Sequence, residues 1–257
     1  MVRTILNITN GGCAVEVMHK ADIPGVYLPW SDVLHDGPVP DNLSLEKLSE
    51  VRAEFIVSRG WGSPERINQL FIDRDNTLKS FKQYDEVILW FEHDLYDQLQ
   101  ILQILDWFYH NSEHTVDLSL ICTDKYLGPL SPDEMKGLLK CKEVISEDQL
   151  LLSSNAWSAF RSNSPEEWCK LIETDTSSLP FLDGAIKRLL EEYPNSKTGL
   201  SRTSHQALKI ISEGEKRPGE IFGRSQDLED RIFLGDSSFW VILHDFLNSP
   251  PPVASVA

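Results

Sequence analysis

The hydrophobic positions of the chain alternate between short continuous apolar runs and longer stretches in which apolar residues recur three and four apart. Thr4 to Thr9, Gly25 to Leu28, Val87 to Phe91 and Thr115 to Cys122 read as strands, the third one apolar throughout and hence buried on both faces. Between them lie helical patterns. Cys13 to Lys20 is the first. Leu45 to Arg59 follows, with Leu45, Leu48, Val51, Phe55 and Ile56 on one face behind Ser44 as its cap. Pro64 opens another that reaches about Gln83, with a break expected near Asp73 to Asn76. Behind Phe91, residues Leu95, Leu99, Leu102, Leu105 and Phe108 form the apolar face of a further helix. Strands separated by helices of this length predict a parallel sheet, with Val144-Ile145 adding a short strand.

Strand signals stop near residue 145. Ser146 with Gln149, Ser164-Pro165 with Glu167, and Leu179-Pro180 each open a helix. Thr198 to Ile211, Pro218 to Asp230 and Asp236 to Leu247 continue the helical pattern. The expected organisation is a Rossmann-like α/β domain with a mostly parallel sheet over residues 1–145, then a smaller all-α, helix-turn-helix-like domain over 146–248. The Pro/Ala/Val tail, 249–257, is expected to be disordered.

Composition changes this picture little: 41% hydrophobic and 25% charged residues are ordinary for a globular chain. No apolar run reaches bilayer length, so no membrane partner is expected and the reading is cytoplasmic. Cys13, Cys122, Cys141 and Cys169 contain no CxxC pair, which predicts buried reduced thiols rather than a disulfide frame or zinc site. Charge is more informative. A net charge of -16 repels nucleic acid, and residues 197–231, with seven Lys/Arg against six Asp/Glu, are the only stretch that escapes the acid excess. The second helix of that stretch carries Arg224, Ser225 and Gln226 but also Asp227, Glu229 and Asp230, which favours a packing module over a DNA reader.

Candidate chemistry collects where the strands end. In open α/β sheets ligands bind beyond the carboxyl ends of the strands. There stand Asn10-Gly11-Gly12, either a phosphate-holding turn before a helix or a merely tight turn. Asp32, His35 and Asp36 follow the second strand in a loop stiffened by Pro29, Gly37, Pro38 and Pro40; Asx-type turn bonds are the other reading of each acid, and for either one alone the favoured one. Glu92, His93 and Asp94 end the central strand, with Asp97 and Gln98 one helical turn on; Asp94 also reads as a helix cap. Asp124 follows the next strand, and Arg52 either reaches an anionic ligand or pairs with a carboxylate. Two His-Asp dipeptides, His35-Asp36 and His93-Asp94, can share a divalent metal for phosphoester hydrolysis, or serve as acid and base without one. A third, His244-Asp245, lies elsewhere and shows how common the dipeptide is. There is no GxSxG, Walker A or full GxGxxG motif. Cys13 at a helix start is the one thiolate candidate.

Trp30-Ser31-Asp32 with His35-Asp36-Gly37-Pro38, the run Trp90 to Leu99, and Leu200-Ser201-Arg202-Thr203 with Leu234-Gly235-Asp236 resemble the bacterial domain-of-unknown-function family eighteen thirty-five, in its version with a helical C-terminal companion domain. The resemblance spans nearly the whole chain and implies a bacterial cytoplasmic protein, without an activity or substrate. The chain departs from that pattern at Asn10-Gly11-Gly12, where the family would have Gly-Asp followed by small residues.

The expected function is therefore binding of, or action on, a small phosphorylated or nucleotide-like ligand at the carboxyl edge of the sheet, with a divalent metal as candidate cofactor. Glu92, His93, Asp94, His35 and Asp36 form the expected catalytic set. Asn10, Gly11, Gly12, Asp32, Asp97, Gln98, Asp124 and Arg52 are the expected ligand-binding set. The rival expectation is a ligand-sensing regulator whose C-terminal helices bind DNA or a protein.

Overall fold

Four of the five strands among the described residues run parallel, and the apolar run Val87 to Phe91 lies in the middle strand of the sheet. The computed structural model describes residues 3–112 and 116–248. Strands β1 (Ile5–Thr9), β2 (Val26–Pro29), β3 (Glu86–Phe91), β4 (Asp117–Cys122) and β5 (Glu143–Val144) are arranged β2-β1-β3-β4-β5. The first four are parallel and β5 is antiparallel to β4. Thr115, expected to open β4, and the tail 249–257 lie outside the described residues.

Side-chain alternation along β3 assigns its two faces. Val87, Leu89 and Phe91 face one layer together with Leu6 and Ile8 of β1, and Ile88 and Trp90 face the other. The second layer is α1 (Gly12–Lys20) and α5 (Pro132–Gly137), which contribute Ala14, Val17, Met18 and Met135. On the first face lie α2 (Leu45–Ser58) and α4 (Leu95–Asn111). There the apolar core continues without a gap into Trp157 of α6 (Glu147–Phe160), Trp168 of α7 (Pro165–Leu171) and Ile186 of α8 (Leu182–Leu190). The end of the strands at residue 144 is thus not an end of packing. Helices α9 (Arg202–Ser212), α10 (Pro218–Gln226) and α11 (Asp236–Asn248) close round a separate cluster of Ala207, Ile210, Ile221, Phe239 and Phe246.

Several boundaries differ from expectation for identifiable reasons. Helix α3 (Pro64–Lys79) runs unbroken through Asp73 to Asn76. The polar residues that suggest a break are satisfied within the helix or beneath it. Gln69 donates to Asp73, Thr77 donates to the Asp73 carbonyl, and Arg74 and Asp75 turn inward and pair with each other. Helix α9 begins at Arg202 rather than Thr198, because Ser201 is its cap, accepting from the Ser204 N–H. Helix α10 stops at Gln226, well short of Asp230, so residues 229–234 are free to run elsewhere. All four cysteines are free, as expected, but Cys13, Cys141 and Cys169 are exposed rather than buried. They lie on outward faces, and only Cys122 is drawn inward by its strand.

Gly37 belongs to the stiff loop after β2. Its φ is +76°, and a Cβ there would stand 2.5 Å from the Phe55 ring. Gly37→Ala therefore combines backbone strain with overpacking, and should lower the unfolding free energy by about 2 kcal/mol or more in urea denaturation.

Candidate functional site

Strand β3 delivers three carboxyl groups to one buried corner. Glu92 directly follows the strand; Asp94 caps α4, its side chain accepting from the Asp97 N–H; and Asp97 lies in the first turn of α4. They are 6%, 3% and 0% exposed, and one oxygen from each lies within 4.8 Å of the others. Neighbouring donors fix them. The Asn10 amide, at the end of β1, donates to Glu92 at 2.8 Å and to Asp97 at 3.0 Å, tying two strands together at their carboxyl ends. The Leu127 N–H donates to Glu92 at 2.7 Å, and the Glu92 N–H to Asp97 at 2.5 Å. Gln98 holds the Glu92 carbonyl at 2.7 Å.

These bonds do not compensate the burial. Desolvation pushes all three carboxyl groups above the ordinary range: Glu92 upward; Asp94, with Glu92 beside it, up to about 7; and Asp97, under Asp94 and Glu92, well above its usual value. Three unpaired negative charges at this burial repel one another strongly, so the corner must take up protons or a cation.

His93 stands beside this corner. Its ring lies 5.0 Å from Tyr126 and 5.9 Å from Phe181, and its Nδ1 has no hydrogen-bond partner. Burial lowers its pKa, with the Arg231 charge adding to the effect. Tyr126 is pushed up to about 12, mainly by burial. His93 is therefore biased toward its neutral form, with Nδ1 unpartnered.

The loop after β2 forms a second cluster with a different character. Arg52 is fully buried and uses its whole guanidinium on the loop. Nε and Nη2 reach Asp32 at 3.0 and 2.9 Å, Nη2 also reaches the Val33 carbonyl, and Nη1 reaches the carbonyls of Asp36 and Pro38. No donor remains for a ligand, so of the two roles open to Arg52 the structure shows the carboxylate pair. Arg74 lies beneath, between the rings of Trp30 at 4.1 Å and Phe71 at 4.3 Å, with Nη1 3.8 Å from Asp32. Asp32 is thus the counter-charge of two buried arginines. Asp36 lends its carbonyl to the same frame, and its N–H closes a turn on Val33. His35 packs edge-on to Tyr96 and Phe233, and both its ring nitrogens lack partners. Desolvation lowers its pKa to about 3, with Arg52 and Arg188 contributing.

Of the expected site residues, then, the structure brings Asn10, Glu92, Asp94, Asp97 and Gln98 into direct contact, with His93 alongside. Asp32 and Arg52 are joined to each other instead, and Asp124 is exposed on the loop after β4. Gly11 and Gly12 precede and open α1, which has no side-chain cap. Neither glycine is sterically demanded: Gly11 is extended, and a Cβ on Gly12 would meet nothing within 4 Å. Sequence reasoning missed Tyr126, the Leu127 N–H and Arg231, which come from loops without periodic signal. A Tyr or Arg in such a loop is a weak marker until the fold places it.

No family model, curated protein or solved structure matches the chain.

Two outcomes follow from the opposed roles of the clusters. Arg52→Ala leaves Asp32 buried and the loop carbonyls without donors, and should cost about 3–5 kcal/mol in chemical denaturation. For Asp94, the raised folded pKa means its contribution is fully present below the unfolded value, near 4, and is lost as pH rises toward about 7. Asp94→Asn keeps a capping side chain and removes the charge. In chelator-treated protein it should therefore raise the melting temperature at pH 8 and leave it little changed at pH 4.

Proposed function

We propose that the carboxyl edge of the sheet binds a divalent cation and, with it, a small phosphorylated or nucleotide-like molecule, and that the protein is a bacterial cytoplasmic hydrolase or transferase acting on that molecule. The observation that carries this reading is the buried trio Glu92, Asp94 and Asp97, with oxygens within 4.8 Å of one another and no cationic side chain paired to them among the described residues. Hard carboxylate oxygens at this spacing suit Mg²⁺ or Mn²⁺. The cation would neutralise the corner and polarise a phosphoryl oxygen.

The fold supports the same location. The strand order and the helices on both sheet faces agree with a Rossmann-like arrangement, whose order reverses between β1 and β3. Ligands in such sheets bind at that reversal, and there Asn10 of one strand end meets Glu92 of the other. The uncapped start of α1 offers backbone N–H groups to a phosphoryl group, and His93, neutral with Nδ1 free, is suited to accept a proton. The helices after β5 read as a smaller α-helical domain, with α9 and α10 in a helix-turn-helix-like pair. A DNA-binding role for that pair is not favoured, because its arginines are spent on carboxylates: Arg202 on Glu191, Arg217 on Glu215 and Arg224 on Glu213. Two of the segments that carry the resemblance to family eighteen thirty-five, the loop from Trp30 to Pro38 and the run from Trp90 to Leu99, frame this edge.

Titration of the chelator-treated protein with Mn²⁺ tests the reading. Binding should release protons and strengthen as pH rises through about 7, the value for Asp94. At a hundredfold excess over the dissociation constant the cation should stabilise the fold by about 2.7 kcal/mol. Asp97→Asn should abolish both effects, and His93→Ala should leave cation binding intact while removing turnover of phosphoesters. Absence of binding and of proton release at millimolar Mn²⁺ would refute it.

A further inference from the structure

The segment between α10 and α11 does not simply connect two helices; residues 229–234 cross the carboxyl edge of the sheet. Phe233 packs 5.2 Å from the His35 ring, the Ile232 N–H donates to the Tyr126 hydroxyl at 2.5 Å, and Arg231 donates to the His93 carbonyl at 3.2 Å. The strap thus touches both histidine motifs. Its base is rigid. Glu229 accepts both arms of Arg188 of α8, at 2.8 and 2.9 Å, and that guanidinium stacks 4.7 Å from the Phe233 ring.

Arg231 differs from the other arginines of this region. Its guanidinium lies over the Phe181 ring at 5.1 Å and passes Gly184 of α8, where a Cβ would come within 2.8 Å of Nη1. It makes no ion pair among the described residues, although the chain carries 40 acidic residues. Of its five N–H donors, one is used, on the His93 carbonyl. The Nδ1 of His93, on a residue only 8% exposed, also lacks a partner. A part-buried guanidinium placed by a ring and a glycine notch thus keeps most of its donors open beside an unpartnered imidazole, the arrangement an anion would require. Its planar fork matches two oxygens of one phosphoryl group.

We propose that Arg231 binds the phosphoryl group of the ligand directly, so that the strap 229–234 completes the site from the C-terminal side. The idea rests on the cation and phosphoryl reading of this edge and adds to it the residue that recognises the anion. Cation at one side and guanidinium at the other would bracket the same group, which selects phosphorylated over unphosphorylated molecules.

Equilibrium dialysis of the full chain with inorganic phosphate, with and without Mg²⁺, tests this. Wild-type protein should bind phosphate; Arg231→Gln should weaken binding at least tenfold, and Arg231→Lys less. Gly184→Ala suits its helix but puts a methyl where Nη1 lies, and should weaken phosphate several-fold without lowering the melting temperature. Mn²⁺ affinity, measured on the same proteins in phosphate-free buffer, should stay within twofold in all three variants. Phosphate binding by Arg231→Gln equal to wild type, or none by wild type at tens of millimolar, would overturn the proposal. If no cation binds, the cation reading fails by itself, and the comparison without Mg²⁺ still reports on Arg231.

Discussion

Like charges brought together without water set the terms for everything at the carboxyl edge. Strand β3 is buried from end to end, so whatever follows it begins deep in the protein rather than at the surface. Glu92, Asp94 and Asp97 occupy that position within six residues, and Glu92 and Asp97 are partly held by donors that the fold brings from elsewhere: Asn10 at the end of β1 for both, and the Leu127 N–H from the loop after β4 for Glu92. These neutral donors orient the carboxyl groups without neutralising them. Charge compensation is left to protons or to a cation, since no cationic side chain is paired to the trio among the described residues.

The neighbouring cluster solves the same problem internally. Asp32 is equally buried, yet Arg52 and Arg74 surround it, and the five donors of Arg52 also gather three carbonyls of the loop after β2. The loop is rigid because one guanidinium spans it. That rigidity places His35 against Tyr96 and Phe233. The two acidic motifs look alike in sequence and differ in what stands opposite them, an arginine fork in one case and a carboxamide in the other.

That difference explains what could be read from the letters. The strands, the helix caps at Ser44, Ser146 and Ser164, and the crowding of acids after Phe91 follow from local pattern and were legible. What stands opposite Asp32 and Glu92 was not legible, because the sign of the partner is a tertiary fact: Arg52 lies 20 residues from Asp32 and Asn10 lies 82 from Glu92. The break expected within α3 failed for the same reason, since Arg74 and Asp75 look solvated in sequence and are paired inside. Arg231 carried no signal at all. It is one charged residue among many until the chain after α10 returns to the sheet.

The buried histidines and the buried carboxyl groups also oppose one another in pH. His35 and His93 have lowered pKa values, so their contribution to stability is present above about 6.5 and is lost as pH falls, for His35 down to about 3. The carboxyl groups behave in the reverse sense, losing their contribution as pH rises from about 4 to the value near 7 for Asp94. The two windows overlap, so without a counter-ion no pH satisfies both sets. A cation acts on only one of them, because it replaces protons on the carboxyl groups and leaves the imidazoles neutral. Occupancy of the corner would therefore move the range of greatest stability upward, to where both histidines are uncharged and His93 can accept a proton. The electrostatics that make the ionised corner costly are the same ones that would couple ion binding to a competent base.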